Sequence, residues 1–357
     1  MTESARPIDR GCVLTAEAVA QTADYIASVQ TGTGQIPWFP GGHTDPWDHI
    51  EAAMALDVAG RGDEARTAYE WLRRTQNPDG SWYRGYHGDR VVDDVRESNF
   101  TAYLAVGVWH HYLSTGDESF LDQMWPAVCA AMEFVLALQA PGGQIGWARA
   151  ADGSPTDEAL LTGCASMFHA LRCALAMAEH RGVAQPDWEL AAAGLGHAVA
   201  AHTDRFSPRQ RYSMDWYYPV LGSALRGPAA HDRINEGWPR FVVPGLGVRC
   251  VSDRPWVTVA ETAELVLSLC AVGEYEKASV LLAEVQHLRC PDGGYWTGYV
   301  YPDDAVWPEE RTTWTAGAVV LASAVLAGEG ASAAVFGAVA LPEVPMMAVC
   351  HPDTCPA

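Results

Sequence analysis

Asp48 and Glu51 stand three residues apart in the stretch GGHTDPWDHIE (41–51). On a helix that spacing puts both side chains on one face, where one carboxyl group could hold a proton while its neighbour stays charged. Near the other end of the chain, PWVTVAETAELVLSLCAVG repeats the plan of DPWDHIEAAMALDVAG. Aligned on their terminal Ala-Val-Gly and Val-Ala-Gly, Glu261 falls on Asp48 and Glu264 on Glu51. Two distant helices therefore offer a carboxylate pair at the same depth, the material for general acid and base work.

Thr44 sits where an N-cap would, and Pro46 suits a first helical turn. A purely structural account stays open, because acids favour the positive end of a helix dipole. Thr258-Val259-Ala260-Glu261 also fits a capping box, which by itself explains a glutamate there. Further acids stand at similar openings: Asp94 in DDVRESN, Asp215 in RYSMDWYYPV and Glu310 in WPEERTTW. Arg96 and Arg311 would neutralise such a mouth, and His43, His49, His110 and His111 read as core or cap groups.

The elements that must position these acids recur. A helix ending near Gln30, Gln76, Gln139 or Arg289 is followed by a Gly-rich loop carrying a tryptophan, as in QNPDGSW and CPDGGYW. This is an internal repeat. After such loops come helices with acidic openings at 44–51, 93–99, 155–160, 213–218, 258–264 and 308–314, whose bodies are apolar nearly all round. Helices buried on every side look like that, whereas DEARTAYEWLRRTQ carries charge on one face. The expected fold is all-α, an (α/α)6 toroid of six inner and about six outer helices, in one domain with loose tails at 1–12 and 340–357. The fourth and fifth outer helices are hidden in 186–255. Parallel inner helices bring all six acidic openings to one end, lining a cleft.

The chain of 357 residues has a formal charge of −21, which would repel nucleic acid and anionic membranes. A neutral or cationic ligand is easier to hold, and a neutral polysaccharide or oligosaccharide is the expected partner. No basic leader and no apolar run long enough for a membrane span is evident, and nine scattered cysteines look reduced, so a cytoplasmic protein is expected. Cys350, His351 and Cys355 hint at metal spacing but lack a second ligand pair; no metal or cofactor is expected. Fourteen tryptophans are a heavy load. Trp38, Trp47, Trp216, Trp256 and Trp296 are candidates to stack on flat apolar faces, sugar rings included.

The repeat is similar to that of three protein groups whose chemistry is not legible here. Prenyltransferase β-subunits need Asp, Cys and His zinc ligands, and the late stretch PDGGYWTGYVYPDDAVWPEERTTWTAG has neither Cys nor His. Triterpene cyclases protonate an alkene from a DxDD motif, of which Val91-Val92-Asp93-Asp94 keeps half; thioester domains need Cys-Gly-Glu-Gln, which does not occur. Six-hairpin inverting glycosidases need one protonated and one ionised carboxyl group, held roughly 6.5 to 9.5 Å apart. Asp48 as acid and Glu261 as base are read as that pair, with Glu264, Asp215, Glu310, Asp94 and Glu51 as alternative catalytic or sugar-binding groups.

GGHTDPWDHIEAAMAL, RYSMDWYYPVLG, GLGVRCVSDRPWVTVAETAEL and GGYWTGYVYPDDAVWPEERTTWTA resemble blocks of an actinobacterial group often labelled prenyltransferase-like, which includes the methylmannose polysaccharide hydrolases of mycobacteria. The resemblance covers about residues 14–327. It implies endo-hydrolysis of α-1,4 bonds in a partly methylated intracellular mannan, with Asp48 and a glutamate in 261–264 as the catalytic carboxylates. The residues alone do not separate mannose from glucose. A terpenoid cyclase or prenyl-transferring enzyme, a non-catalytic sugar-binding toroid and, more distantly, a sugar epimerase remain the alternatives.

Overall fold

The computed structural model describes residues 13–328, 330–337 and 341–345. The helices are α1 (Ala16–Val29), α2 (Pro46–Val58), α3 (Gly62–Thr75), α4 (Ser98–Ala102), α5 (Leu104–Thr115), α6 (Glu118–Leu136), α7 (Leu161–His180), α8 (Pro186–Ala201), α9 (Ser213–Leu221), α10 (Gly227–Phe241), α11 (Val259–Ala271), α12 (Tyr275–Glu284), α13 (Thr313–Ala327) and α14 (Gly330–Phe336). The inner ring is α2, α4 with α5, α7, α9, α11 and α13; α1, α3, α6, α8, α10 and α12 pack outside it. This is the (α/α)6 toroid, and α8 and α10 are the two outer helices hidden in the sequence.

Composition explains the layering. In α2 every residue from Pro46 to Asp57 is buried, whereas α3 buries Ala65, Ala68, Tyr69, Trp71 and Leu72 and keeps its charges exposed or half-buried. α7 is long and apolar enough to cross a membrane by composition, contrary to the expectation that no such run exists. It is a core helix, with 17 of its 20 residues buried inside the ring.

The repeated loops lock neighbouring hairpins together. The Gln30, Gln76 and Gln139 side chains each donate to the carbonyl four residues on, at 2.9 to 3.1 Å, and to the next outer helix, at Glu64, Ala127 and Ala191. At the fourth loop Arg289 takes the glutamine's place and donates to Ala18 and Gln21 of α1, closing the ring. Gly80 shows why the loop needs glycine. Its φ is +88°, and a Cβ would stand 2.0 Å from the Ala130 carbonyl oxygen.

A five-stranded antiparallel sheet of 242–243, 247–249, 256–258, 298–300 and 305–306 joins the loops ahead of α11 and α13. Its pairs Thr258 with Gly298 and Val248 with Thr258 pin the start of α11. At the other end of the chain the described part reaches further than the loose tail expected from residue 340. Leu341 is buried, and Arg172 donates to the carbonyls of Leu341 and Pro342 at 3.1 Å. The tail at 1–12 and the Cys350, His351 and Cys355 group lie outside the described residues.

Candidate active site

The start of α2 differs by one residue from expectation. Asp45 is the N-cap, its Oδ1 accepting the Asp48 amide at 2.9 Å, while Thr44 pairs with Tyr86 across a β-bridge. The other Asp45 oxygen takes the Trp38 indole N–H at 2.5 Å. Two carboxylates therefore crowd one helix mouth. The next residue, His49, accepts the Ile36 amide and donates to Ala68, both at 3.0 Å; burial pulls its pKa down to about 4. It is a neutral core group.

Asp48 is buried, and its Oδ2 has no hydrogen-bond partner. Burial first, then the charges of Asp45, Glu51, Glu264 and Glu261, push its pKa well above the usual carboxylate range. Surroundings of this kind favour the protonated form over the charged one. Glu51, one turn further down, is raised to about 8 by burial, against the Tyr103 hydroxyl that donates to its Oε1 at 2.9 Å. The Trp314 indole N–H is near enough to favour charge on Glu51 but falls short of a hydrogen bond.

α13 packs between α2 and α11, and Gly317 lets it come close to α2: a Cβ there would be 3.1 Å from the Glu51 carbonyl oxygen. Across it stand Glu261 and Glu264, both buried. Glu264 accepts the Tyr217 hydroxyl and, at 2.5 Å, the Tyr218 hydroxyl. Burial and the Glu51 charge nevertheless raise its pKa, and the tyrosines are raised in turn, so each stays a donor. The Cys250 thiol lies beside Glu261, and burial first, then the Glu261 charge, push the thiol's pKa up. The capping box that could have explained Glu261 is not made: Thr258 gives no side-chain cap, and its Oγ1 is buried without a partner.

A pocket of about 320 Å³ opens at this end, lined by the acids Asp45, Asp48, Glu97 and Asp215 under Trp38, Trp47 and Trp314. Burial raises Glu97 to about 7. Asp215 is raised by burial, partly offset by bonds from Thr162, whose hydroxyl lies at 2.5 Å. The structure thus brings Asp48 and Asp215 to the pocket wall, while Glu51, Glu261 and Glu264 are buried within reach of Asp48's charge but do not themselves line the pocket.

It does not gather the rest. Asp94 is exposed beyond the strand 90–93, and Glu310, half-buried, uses its backbone carbonyl to hold Thr297; neither lines the pocket. Trp47 is stacked on Tyr103 at 3.9 Å and Trp216 on Phe241 at 5.3 Å, so one face of each ring is taken. Trp216 lies behind the pocket, its N–H on the Arg233 carbonyl. Trp296 lies under the Arg311 guanidinium, and Trp256 is half-buried on the sheet.

Tyr103, Tyr217, Tyr218, Cys250 and Asp45 were not read as site residues. The two α9 tyrosines follow Asp215 in SMDWYY, so a polar tip on an otherwise buried residue was the available signal.

No family model matches the sequence. The MMP endo-(1,4)-3-O-methyl-alpha-D-mannosidase of Mycolicibacterium hassiacum is 55% identical over 330 residues, covering 92% of each chain. This chain belongs to that mannosidase's family. Solved structures similar to this mannosidase-family chain include a wild-type glycosidase (TM-score 0.71, 13% identity, 91% of this chain and 99% of the other). A D-mannose isomerase follows at TM-score 0.69 and 11% identity, covering 89% and 99%. The GH63 mannosylglycerate hydrolase of Thermus thermophilus matches at TM-score 0.64 and 10% identity, covering 85% and 99%. At these identities they speak to the fold alone, which is the toroid.

Proposed function

We propose that the protein is an endo-acting glycoside hydrolase that cuts internal α-1,4 bonds of an intracellular 3-O-methylated mannan with inversion. The observation that carries this reading is the 55% identity to a named endo-mannosidase, sustained over 92% of both chains. The buried carboxylates around the pocket are the groups such a reaction needs.

Asp48 acts as the acid. Its proton goes to the glycosidic oxygen as the bond from that oxygen to the anomeric carbon breaks. Glu261 acts as the base, taking a proton from the water that adds to the opposite face of the ring. Burial and neighbouring charge keep the proton on Asp48 against the helix dipole, which would favour ionisation. Glu51 and Glu264, each tied to tyrosine hydroxyls, stand beside Asp48 and serve as sugar-hydroxyl partners. The O-methyl groups add apolar surface for Trp38 and Trp314 to cover. The acidic surface suits a neutral polymer, and the described cysteines are free thiols, which fits a reducing compartment.

The test is incubation with methylmannan and with an unmethylated α-glucan, following product mass and the anomeric configuration first released. Oligosaccharides of inverted configuration from the mannan support the reading; an intact mannan contradicts it.

A further inference from the structure

One wall of the pocket is tied to the five-stranded sheet. Tyr212, which lines the pocket and is 39% exposed, bridges Val251. From there the chain of paired strands runs through 247–249, 256–258 and 298–300 to 305–306, and ends at Trp307. At one strand spacing per pair, Trp307 stands on the order of 20 Å across the sheet from Tyr212.

Trp307 is 56% exposed, and among the described residues every other tryptophan is buried or half-buried. It is also held in place. The Trp256 indole N–H donates to the Trp307 carbonyl at 2.7 Å, and the two rings meet edge to face at 4.9 Å and 77°. Trp256 itself lies against Gly298, where a Cβ would come within 2.4 Å of its Nε1. A large apolar ring fixed outward has already met its ordering cost before any ligand arrives. Its surroundings, with exposed Asp303, Asp304 and Glu309, are acidic, which suits a hydroxyl-rich ligand and repels an anionic lipid surface.

We infer that Trp307 is an outlying subsite of the groove, stacking on an apolar, O-methylated face of a sugar several units away from the bond that is cut. Trp256 is the prop that presents it. The inference rests on the hydrolase reading above and adds to it a requirement for chain length. A polymer spans the sheet from Tyr212 to Trp307; a short oligosaccharide held in the pocket does not reach.

The experiment compares wild type, Trp307→Ala and Trp307→Phe on methylmannan and on short oligosaccharides cut from it. Trp307→Ala should lower kcat/KM on the polymer about tenfold, through KM and with kcat kept, the size of one lost stacking contact. It should leave the short substrates unchanged, and Trp307→Phe should restore most of the loss. Equal rates for wild type and Trp307→Ala on the polymer, or equal losses on both lengths, overturn the subsite while the hydrolase stands. A wild-type protein that leaves methylmannan intact overturns the hydrolase reading, and the subsite with it.

Discussion

The amide of Asp48 donates to Oδ1 of Asp45 at 2.9 Å, so the residue that caps α2 is also the acid whose charge bears most on the proposed catalytic acid. Burial raises the pKa of Asp45, and the cap bond and the Trp38 indole N–H work against that rise in favour of its charged form. That charge, in turn, favours a protonated Asp48. One hydrogen bond links the start of the helix to the protonation state of the site.

Replacing Asp45 by Ser keeps a capping oxygen and removes the charge. The Asp48 pKa then falls toward the usual range. A group acting as an acid works below its pKa, so activity is lost as pH rises through it; the alkaline limb of kcat/KM should move to lower pH by about one unit. A pH profile of the variant that overlays wild type would remove Asp45 from this role.

Asp48→Asn should lower kcat by about a thousandfold with the fold retained by circular dichroism. A glycosyl fluoride, whose leaving group needs no proton, distinguishes the two carboxylates. Asp48→Asn should recover much of its rate on such a substrate and Glu261→Gln should not. The reverse outcome would exchange the roles of acid and base.

Glu51 makes stability depend on pH with a sign that can be worked out. Its pKa is near 4.5 when unfolded and about 8 when folded, so between these values the folded state binds more protons and stability falls as pH rises. Glu51→Gln keeps an acceptor for Tyr103 and removes that fall. Its Tm should exceed that of wild type by about 2 °C or more at pH 8, with the gap closing toward pH 5. Differential scanning calorimetry at the two pH values measures it.

Gly80→Ala puts a side chain at positive φ against the Ala130 carbonyl. Urea denaturation should register a loss of about 2 to 4 kcal/mol. An unchanged midpoint would mean that the repeated loops do not lock the ring.

Much of this was legible in the sequence because the ring repeats itself. The Gln-to-Gly loops mark where one outer helix meets the next, and the alignment of Asp48 with Glu261 follows from the equal depth of two inner helices. Other features depend on contacts that no local pattern carries. Asp45 was hidden behind Thr44, an equally good cap by type. Nothing local in the sequence marks Tyr103, Tyr217 and Tyr218, and only the packing of the start of α5 and of α9 toward the ring's centre turns their hydroxyls onto Glu51 and Glu264. Cys250 meets Glu261 because the strand 247–249 pairs beside the start of α11. α10 was hidden because Gly237 and Pro239 break a helical pattern that tertiary packing restores.

The most direct measurement follows methylmannan by mass and nuclear magnetic resonance with wild type, Asp48→Asn and Glu261→Gln side by side. The account predicts inverted oligosaccharide products from wild type and rates at least about a hundredfold lower from each variant. Products of retained configuration, or undiminished cleavage by either variant, would contradict it.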